Sequence, residues 1–167
     1  MYYINFIFLY SFLGFALESL YFKIHNINAH SSIFIGPYTL VYGFGMLLSF
    51  FIYKYLNLNL NILTVIIYYV IFTLSTSLIE FIGGHIIHYF LKIDKWDYTN
   101  YKIHFGKYLC LKNSLLWGLL VLTIIFYIHP YLNKNILLTI PNKITILILI
   151  IFILDLIYLI KKIIKNH

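Results

Sequence analysis

The sequence contains little charge and few residues that break or cross-link a chain. Charged residues make up 10% of its 167 residues, whereas they make up about a quarter of a soluble domain, so a soluble fold is excluded. Arginine and glutamine are absent. The single cysteine, Cys110, excludes an internal disulfide. There are three prolines and no low-complexity linker, and we therefore expect one domain over residues 1–167.

Apolar residues dominate what is present. They make up 62% of the chain, and the mean hydropathy is +0.90, which indicates an integral membrane protein. The formal net charge is +7, and the lysines flank apolar runs, a pattern typical of contact with anionic lipid headgroups rather than with nucleic acid. Glu18 interrupts the first apolar run, so we interpret this run as a membrane helix and not as a cleaved signal peptide. We expect no cofactor and no metal.

Five apolar segments are long enough to cross a bilayer, whose hydrocarbon core needs about 20 helical residues. They are residues 4–22, 37–56, 62–91, 111–129 and 144–160. The sequence therefore predicts an all-α membrane bundle of about five helices. Pro37 suits the first turn of the second helix, where its missing N–H is not needed. The third segment exceeds the hydrocarbon thickness, so it must tilt, protrude or break, and Gly83-Gly84 is its weakest point.

The lysines are distributed unequally between the two sides that these spans define. Nine of the twelve lie on one side, and three, Lys54, Lys134 and Lys143, lie on the other. The positive-inside rule then places the N-terminus outside, the C-terminus in the cytoplasm and the loop around Trp96 in the cytoplasm. We expect a multi-pass protein of the bacterial inner membrane.

Three of the five acidic residues, Glu18, Glu80 and Asp155, lie within apolar spans. Each costs about 2.5 to 3.5 kcal/mol at the centre of a membrane helix, so such residues are interpreted first as functional. Glu18 and Asp155 have the alternative of lying at the interface, where they reach water or a nearby lysine. Glu80 is the deepest, and its alternative is a structural carboxylate bonded to Ser and Tyr hydroxyls.

Helical spacing places the deep acids on polar faces. One face of the third helix carries Thr73, Ser77, Glu80, Gly84 and His88, and one face of the first carries Tyr10, Gly14, Glu18 and Tyr21. We expect the two faces to point at protein and to meet. The small residues Gly45 and Ser49, and also Ser114 and Gly118, are interpreted as helix packing sites. His85 and His88 are interpreted as interfacial histidines rather than metal ligands.

Residues 92–111 form the only extended stretch in which charged and aromatic residues interleave. This stretch is the last part of an ordered set of motifs in the first 118 residues. The set is Tyr10-Ser11-Phe12-Leu13-Gly14, Glu18-Ser19-Leu20-Tyr21, Gly36-Pro37, Tyr42-Gly43-Phe44-Gly45, Glu80, Trp96-Asp97-Tyr98, Phe105-Gly106-Lys107, Cys110-Leu111, Ser114 and Trp117-Gly118. In these motifs the chain resembles the bacterial multi-pass family called Putative ABC-transporter type IV, or CmpB-like permeases.

The resemblance implies a permease whose site residues lie in the matched motifs. The binding candidates that follow from the motifs and the span acids are Glu18, Glu80, Asp97, Trp96, Tyr98, Tyr42 and Asp155. Of these, Asp155 lies beyond the matched motifs and depends on its position in a span alone. Where the family often has Asn-Gly-Arg, this chain has Phe105-Gly106-Lys107, which weakens a bidentate phosphate clamp because lysine presents a point charge.

Three functions remain open at this point. The first is a permease-like subunit that works with a separate ATPase, another membrane subunit or a second copy of itself. The second is an ATP-independent proton or cation carrier that uses the span carboxylates. The third is a non-transporting scaffold or regulatory subunit. We expect no enzyme, because no nucleophile and base occur at a recognisable spacing. We also expect Trp96, Tyr98 and Tyr101 at the membrane interface, with Asp97 either capping the helix start at Gly36-Pro37 or solvated.

Overall fold

The computed structural model describes residues 1–165 and is almost entirely helical. Three long α-helices come first, followed by a short antiparallel hairpin and a fourth α-helix. Two π-helical segments then flank a short fifth α-helix, and a long sixth α-helix comes last. The elements are α1 (Tyr2–Ile24), α2 (Leu40–Leu56), α3 (Ile62–Leu91), β1 (His104–Phe105), β2 (Leu109–Cys110), α4 (Leu111–Thr123), a π segment (Ile124–Ile128), α5 (His129–Leu132), a second π segment (Asn133–Leu137) and α6 (Asn142–Lys165). The fold is thus an all-α membrane bundle, as the sequence predicts.

Four helical stretches within the described chain are long and apolar enough to cross a membrane, namely α1, α3, residues 111–137 and α6. The second predicted span corresponds to α2, whose 17 residues lie at the lower end of the range for a crossing helix. Each predicted segment therefore coincides with a helical stretch. The prediction of residues 62–91 matches the bounds of α3, which continues without a break through Gly83-Gly84.

Two predicted helix ends are wrong. Pro37 does not lie in the first turn of a helix, because α2 begins at Leu40. Hydrogen bonds to distant parts of the chain hold the preceding segment in a non-helical conformation. One of them runs from the Thr39 N–H to the Ser11 carbonyl (3.1 Å). The fourth span does not end before Pro130 either. It continues to Leu137 through π-helical geometry, which accommodates a proline that cannot donate a backbone hydrogen bond.

The chain divides into two compact units, and the first comprises residues 1–44 and the described chain from Asn133 onward. It contains α1, α6 and the loop of residues 25–39. Aromatic rings fill its core, where Phe8, Tyr38 and Phe152 are in mutual contact. Gly14 provides the space for the Tyr42 ring, because a Cβ at position 14 would lie 2.3 Å from that ring.

In the first unit, α1 and α6 run in the same direction. The Tyr2 hydroxyl at the start of α1 donates to Asn133 (2.8 Å), which lies shortly before α6. Asp155, just past the middle of α6, binds the loop that follows α1. The start of α1 therefore lies near residues that precede α6, and its end leads into the loop that Asp155 binds.

The second unit comprises Gly45–Leu132. It is built from α3, the hairpin and α4, together with most of α2. The small residues that the sequence assigns to packing lie at these helix contacts: the Ser49 and Ser75 hydroxyls are 2.9 Å apart, and Gly118 lies directly against Thr73. Close helix approach in this unit therefore depends on small side chains, as is common in membranes.

Residues 92–110 form a folded loop in the second unit. The Tyr98 N–H donates to the Lys107 carbonyl (2.7 Å), and the strands β1 and β2 pair antiparallel. Gly106 lies between the strands at φ +64°, a conformation that glycine adopts without strain. The Tyr108 ring lies against Gly84, where a Cβ would be 2.5 Å away from it. The loop thereby folds back along α3 instead of extending into solvent.

Candidate functional site

In the first unit, Asp155 binds the loop of residues 25–39 through three donors. One carboxylate oxygen accepts the Ile35 N–H (3.0 Å), and the other accepts the Gly36 N–H (2.8 Å) and the Tyr38 hydroxyl. Asp155 is buried, so a carboxylate without these partners would be costly. Burial, followed by the hydrogen bond to Asp155, raises the pKa of Tyr38, and this phenol therefore remains a donor at neutral pH.

Glu18 holds the same loop from the opposite helix. The Ser31 hydroxyl donates to the Glu18 carboxylate (2.5 Å), and Ser31 and Thr39 are linked through their hydroxyls at 3.0 Å. Glu18 is half-buried, so it belongs neither to a fully solvated surface nor to the deep interior. The two span acids of this unit thus bind different residues of one polar loop.

In the second unit, Glu80 accepts a hydrogen bond from the Tyr98 hydroxyl (2.7 Å). Glu80 is buried and lies eleven residues before the end of α3, which corresponds to about 16 Å along the helix axis. The ring of Tyr98 therefore reaches well below the end of α3. Burial, followed by the charge of Glu80, raises the pKa of Tyr98, so the hydroxyl stays protonated and donates.

The polar face predicted on α3 points at protein over most of its length. Ser77, Glu80 and Gly84 are buried, Thr73 contacts Gly118, and the exposed His88 binds Asp94. On α1 the prediction is accurate for Tyr10 and Gly14, which are buried. It is wrong for Tyr21, which is 52% exposed and whose ring contacts the ring of His25 in the residues that follow α1.

Asp94 organises an ionic cluster at the loop surface that sequence reasoning did not single out. Its carboxylate accepts hydrogen bonds from Lys107 (2.8 Å) and Tyr108 (2.5 Å) and lies 2.8 Å from the His88 ring. These bonds, with that of Lys107 the strongest, lower the pKa of Asp94 to about 2. A sequence signal for this cluster exists: His88 and Asp94 lie on either side of the end of α3. Lys92, in the left-handed conformation, turns the chain between them so that the two side chains meet.

The other loop candidates have local roles. Asp97 is exposed, and its carboxylate accepts the Thr99 N–H (2.9 Å), which lowers its pKa. The acid that binds the N–H groups of Ile35 and Gly36 is Asp155, and these two residues precede α2 by several positions, so Asp155 is not a helix cap. The Trp96 ring N–H points at the Tyr108 carbonyl at the long distance of 3.4 Å.

Taken separately, each unit presents one polar loop that carboxylates of the spans bind. Tyr42, the remaining candidate, packs on Gly14. The loop donors Ser31, Tyr38 and Thr39 were missed by sequence reasoning, although Ser31 and the Tyr38-Thr39 pair lie on either side of Gly36-Pro37.

Within residues 1–165, no group of three or more His, Cys, Asp or Glu side chains is arranged to hold a metal ion. The chemistry available here is hydrogen bonding and proton or cation binding by oxygen.

Comparison with protein families gives a match. The model of the family described as Putative ABC-transporter type IV matches residues 5–160, and hence nearly the whole chain, including α6 and Asp155. The search of curated proteins and the search of solved structures give no match.

Proposed function

Because the chain belongs to the Putative ABC-transporter type IV family, we propose that it is a multi-pass permease-type subunit of the cell membrane that works with a separate ATPase. The family and the apolar helices make it a membrane protein of transporter type. The proposal adds that the loop of residues 92–110 faces the cytoplasm and contacts the ATPase, while the acids of the spans lie beneath the two polar loops.

The observation that supports this proposal is the attachment of the folded loop to the interior of α3. A loop that transmits movement from an ATPase must be ordered at its tip and joined to a span at its base. Here the base is the bond between Tyr98 and Glu80, and the tip exposes Ile103 and Phe105 by 63% and 70%. Lys102, which is exposed beside this tip, suits an acidic partner surface.

Purification from native membranes tests the proposal. The tagged chain is expected to carry an ATPase chain with it, and the double variant Ile103→Ser with Phe105→Ser is expected to lose that partner. A matched control is Tyr55→Ser, which changes an aromatic residue that is 90% exposed on the side predicted to be external. Recovery of no ATPase in any of these preparations contradicts the proposal.

Cysteine labelling tests the orientation on which this function depends. After Cys110→Ser, single cysteines placed at Asn59 and Asn100 are offered a membrane-impermeant reagent in intact cells. The lysine distribution predicts labelling at position 59 and protection at position 100. The reverse result would place the loop of residues 92–110 outside, where no ATPase could reach it.

A second function, a non-transporting scaffold, is favoured by one observation. The span acids bind donors of the chain's own loops, which is what a role in fixing helices and loops requires. A scaffold is expected to purify with a different membrane protein and without an ATPase. In that case Glu80→Gln, which still accepts a hydrogen bond but cannot ionise, should leave partner binding unchanged.

A further inference from the structure

A cavity of about 260 Å³ lies in the first unit between the loop of residues 25–39 and one face of α6. The side chains of α6 that line it recur at steps of three and four residues, so they follow a single helix face. The lining residues that matter here are His30, Ser32, Asp155, Tyr158, Leu159 and Lys162. The loop of residues 92–110, which carries the proposed contact with an ATPase, does not line this cavity.

The cavity has a negative and a positive end. Asp155 supplies the negative end: its oxygens accept three hydrogen bonds, and a carboxylate has about four acceptor positions, so one remains. Lys162 supplies the positive end, and no acidic residue within the described chain forms an ion pair with it. The two residues are seven positions apart on α6, which corresponds to about 10 Å along the axis.

Charge complementarity selects the class of ligand. A simple anion at Lys162 would also meet the charge of Asp155, and a simple cation at Asp155 would also meet Lys162. A ligand with both charges satisfies both ends. Because Lys162 has a long and flexible side chain, a ligand with a short linker between an ammonium and a phosphate, such as two carbons, can contact both ends.

We propose that this cavity binds a zwitterionic phosphoethanolamine group, with its ammonium at Asp155 and its phosphate at Lys162 and the Tyr158 hydroxyl. The Nδ1 atom of His30 lies 2.9 Å from the Ser32 carbonyl oxygen, and its other ring nitrogen adds a further polar group to the lining. This site is independent of whether the chain transports anything, since a lipid that stabilises the fold and a lipid that is moved would use the same contacts.

The position of the cavity favours a lipid as the source of this group. Lys161 and Lys162 end the apolar run of α6, so the cavity lies where lipid headgroups meet water. Beside it, α6 exposes Leu154 and Ile157, and an acyl chain can lie along these side chains. The same phosphoethanolamine chemistry exists in a soluble molecule, which the experiment separates from the lipid.

Native mass spectrometry of the purified full chain tests the site. The protein is exchanged into detergent with equal amounts of phosphatidylethanolamine, phosphatidylglycerol and phosphatidylcholine. We expect preferential retention of phosphatidylethanolamine, because phosphatidylglycerol lacks the ammonium and the ammonium of phosphatidylcholine has no N–H to donate. Preferential retention of phosphatidylglycerol, or equal retention of all three, overturns the proposal. Displacement of the lipid by free phosphoethanolamine supports a soluble ligand of the same chemistry, and its absence supports the lipid.

A matched pair of variants locates the binding. Lys162→Gln is expected to lower the affinity for phosphatidylethanolamine about tenfold, the size of one charge-assisted hydrogen bond. The control Lys161→Gln removes the same charge from the neighbouring position, which does not line the cavity, and is expected to leave the affinity unchanged. Both residues are exposed at the end of α6, so both variants should fold. Equal losses in the two variants would mean that only the net charge matters and would overturn the site.

Discussion

The two polar loops of this protein differ in what holds them. The loop of residues 25–39 has no regular secondary structure, and two acids of the spans, Glu18 and Asp155, bind its hydroxyls and backbone amides. The loop of residues 92–110 has a β-hairpin and its own ionic cluster at Asp94, and Glu80 binds the hydroxyl of its Tyr98. The first loop therefore depends on the acids more than the second does.

This difference indicates that the span acids serve as hydrogen-bond acceptors for polar groups of the loops. Polar backbone that lies beside membrane spans needs hydrogen-bond partners, since each unsatisfied group costs several kcal/mol in hydrocarbon. In the first unit, Asp155 supplies acceptors for two backbone N–H groups that are not part of a helix. In the second unit, the hairpin satisfies part of its own backbone, and Glu80 positions the aromatic side chain of Tyr98.

The largest expected effect is the loss of Asp155. Replacing Asp155 by Leu leaves the amides of Ile35 and Gly36 and the Tyr38 hydroxyl without their acceptor, and we expect a loss of about 3 kcal/mol in stability. Thermal unfolding of the purified protein measures this loss. The control is Leu154→Ala on the neighbouring, 61% exposed position. A melting temperature of Asp155→Leu equal to that of the control would show that Asp155 does not stabilise the fold.

A smaller effect is expected at Glu80. Tyr98→Phe removes the donor but leaves the ring, and we expect a loss of about 1.5 kcal/mol, typical of a hydrogen bond to a charged group. A double-mutant cycle with Glu80→Leu separates this bond from other changes, because Leu offers no acceptor to the Tyr98 hydroxyl. Additive effects of the two substitutions in thermal unfolding would mean that the contact contributes nothing of its own.

In the same two regions, the helices and the span acids were predictable from the sequence, whereas the hydrogen-bond partners of the acids were not. The bounds of α3 and its polar face followed from apolar length and helical spacing, both of which are local properties. The span acids were identified because charge is scarce in an apolar run. Their partners, such as Ser31 for Glu18, were not predicted, because hydrogen bonds across 13 residues or more depend on how helices pack, and one sequence contains no direct signal of that.

The start of α2 was also mispredicted, because contacts distant in sequence determine it. Pro37 has the local preference for a first helical turn, yet the helix begins three residues later, at Leu40. The bonds of Asp155 and Ser11 to the preceding backbone outweigh that preference. The position of Pro130 within a continuous helical stretch has a similar cause, since π-helical turns are not signalled by composition.

The smallest effect is expected at the ionic cluster of the second loop. The pKa of Asp94 is about 2 in the folded protein, below its ordinary value of 3.8, so the carboxylate favours the folded loop when it is ionised. This contribution is fully present above about pH 4 and is lost as the pH falls toward 2. Melting temperatures between pH 5 and 3 should fall less in Asp94→Asn than in the unchanged protein. Identical pH profiles would show that the cluster does not support the loop.

Hydrogen exchange of the two loops tests the central claim most directly. The protein is compared with its Asp155→Asn and Glu80→Gln variants in the same detergent, and protection is measured over residues 25–39 and 92–110. We predict that Asp155→Asn exposes the amides of the first loop, at Ile35 and Gly36 above all, while the second loop stays protected. We predict that Glu80→Gln changes neither hairpin strand. Unchanged protection at Ile35 and Gly36 in the folded Asp155→Asn variant would contradict the claim that a span acid holds the first loop.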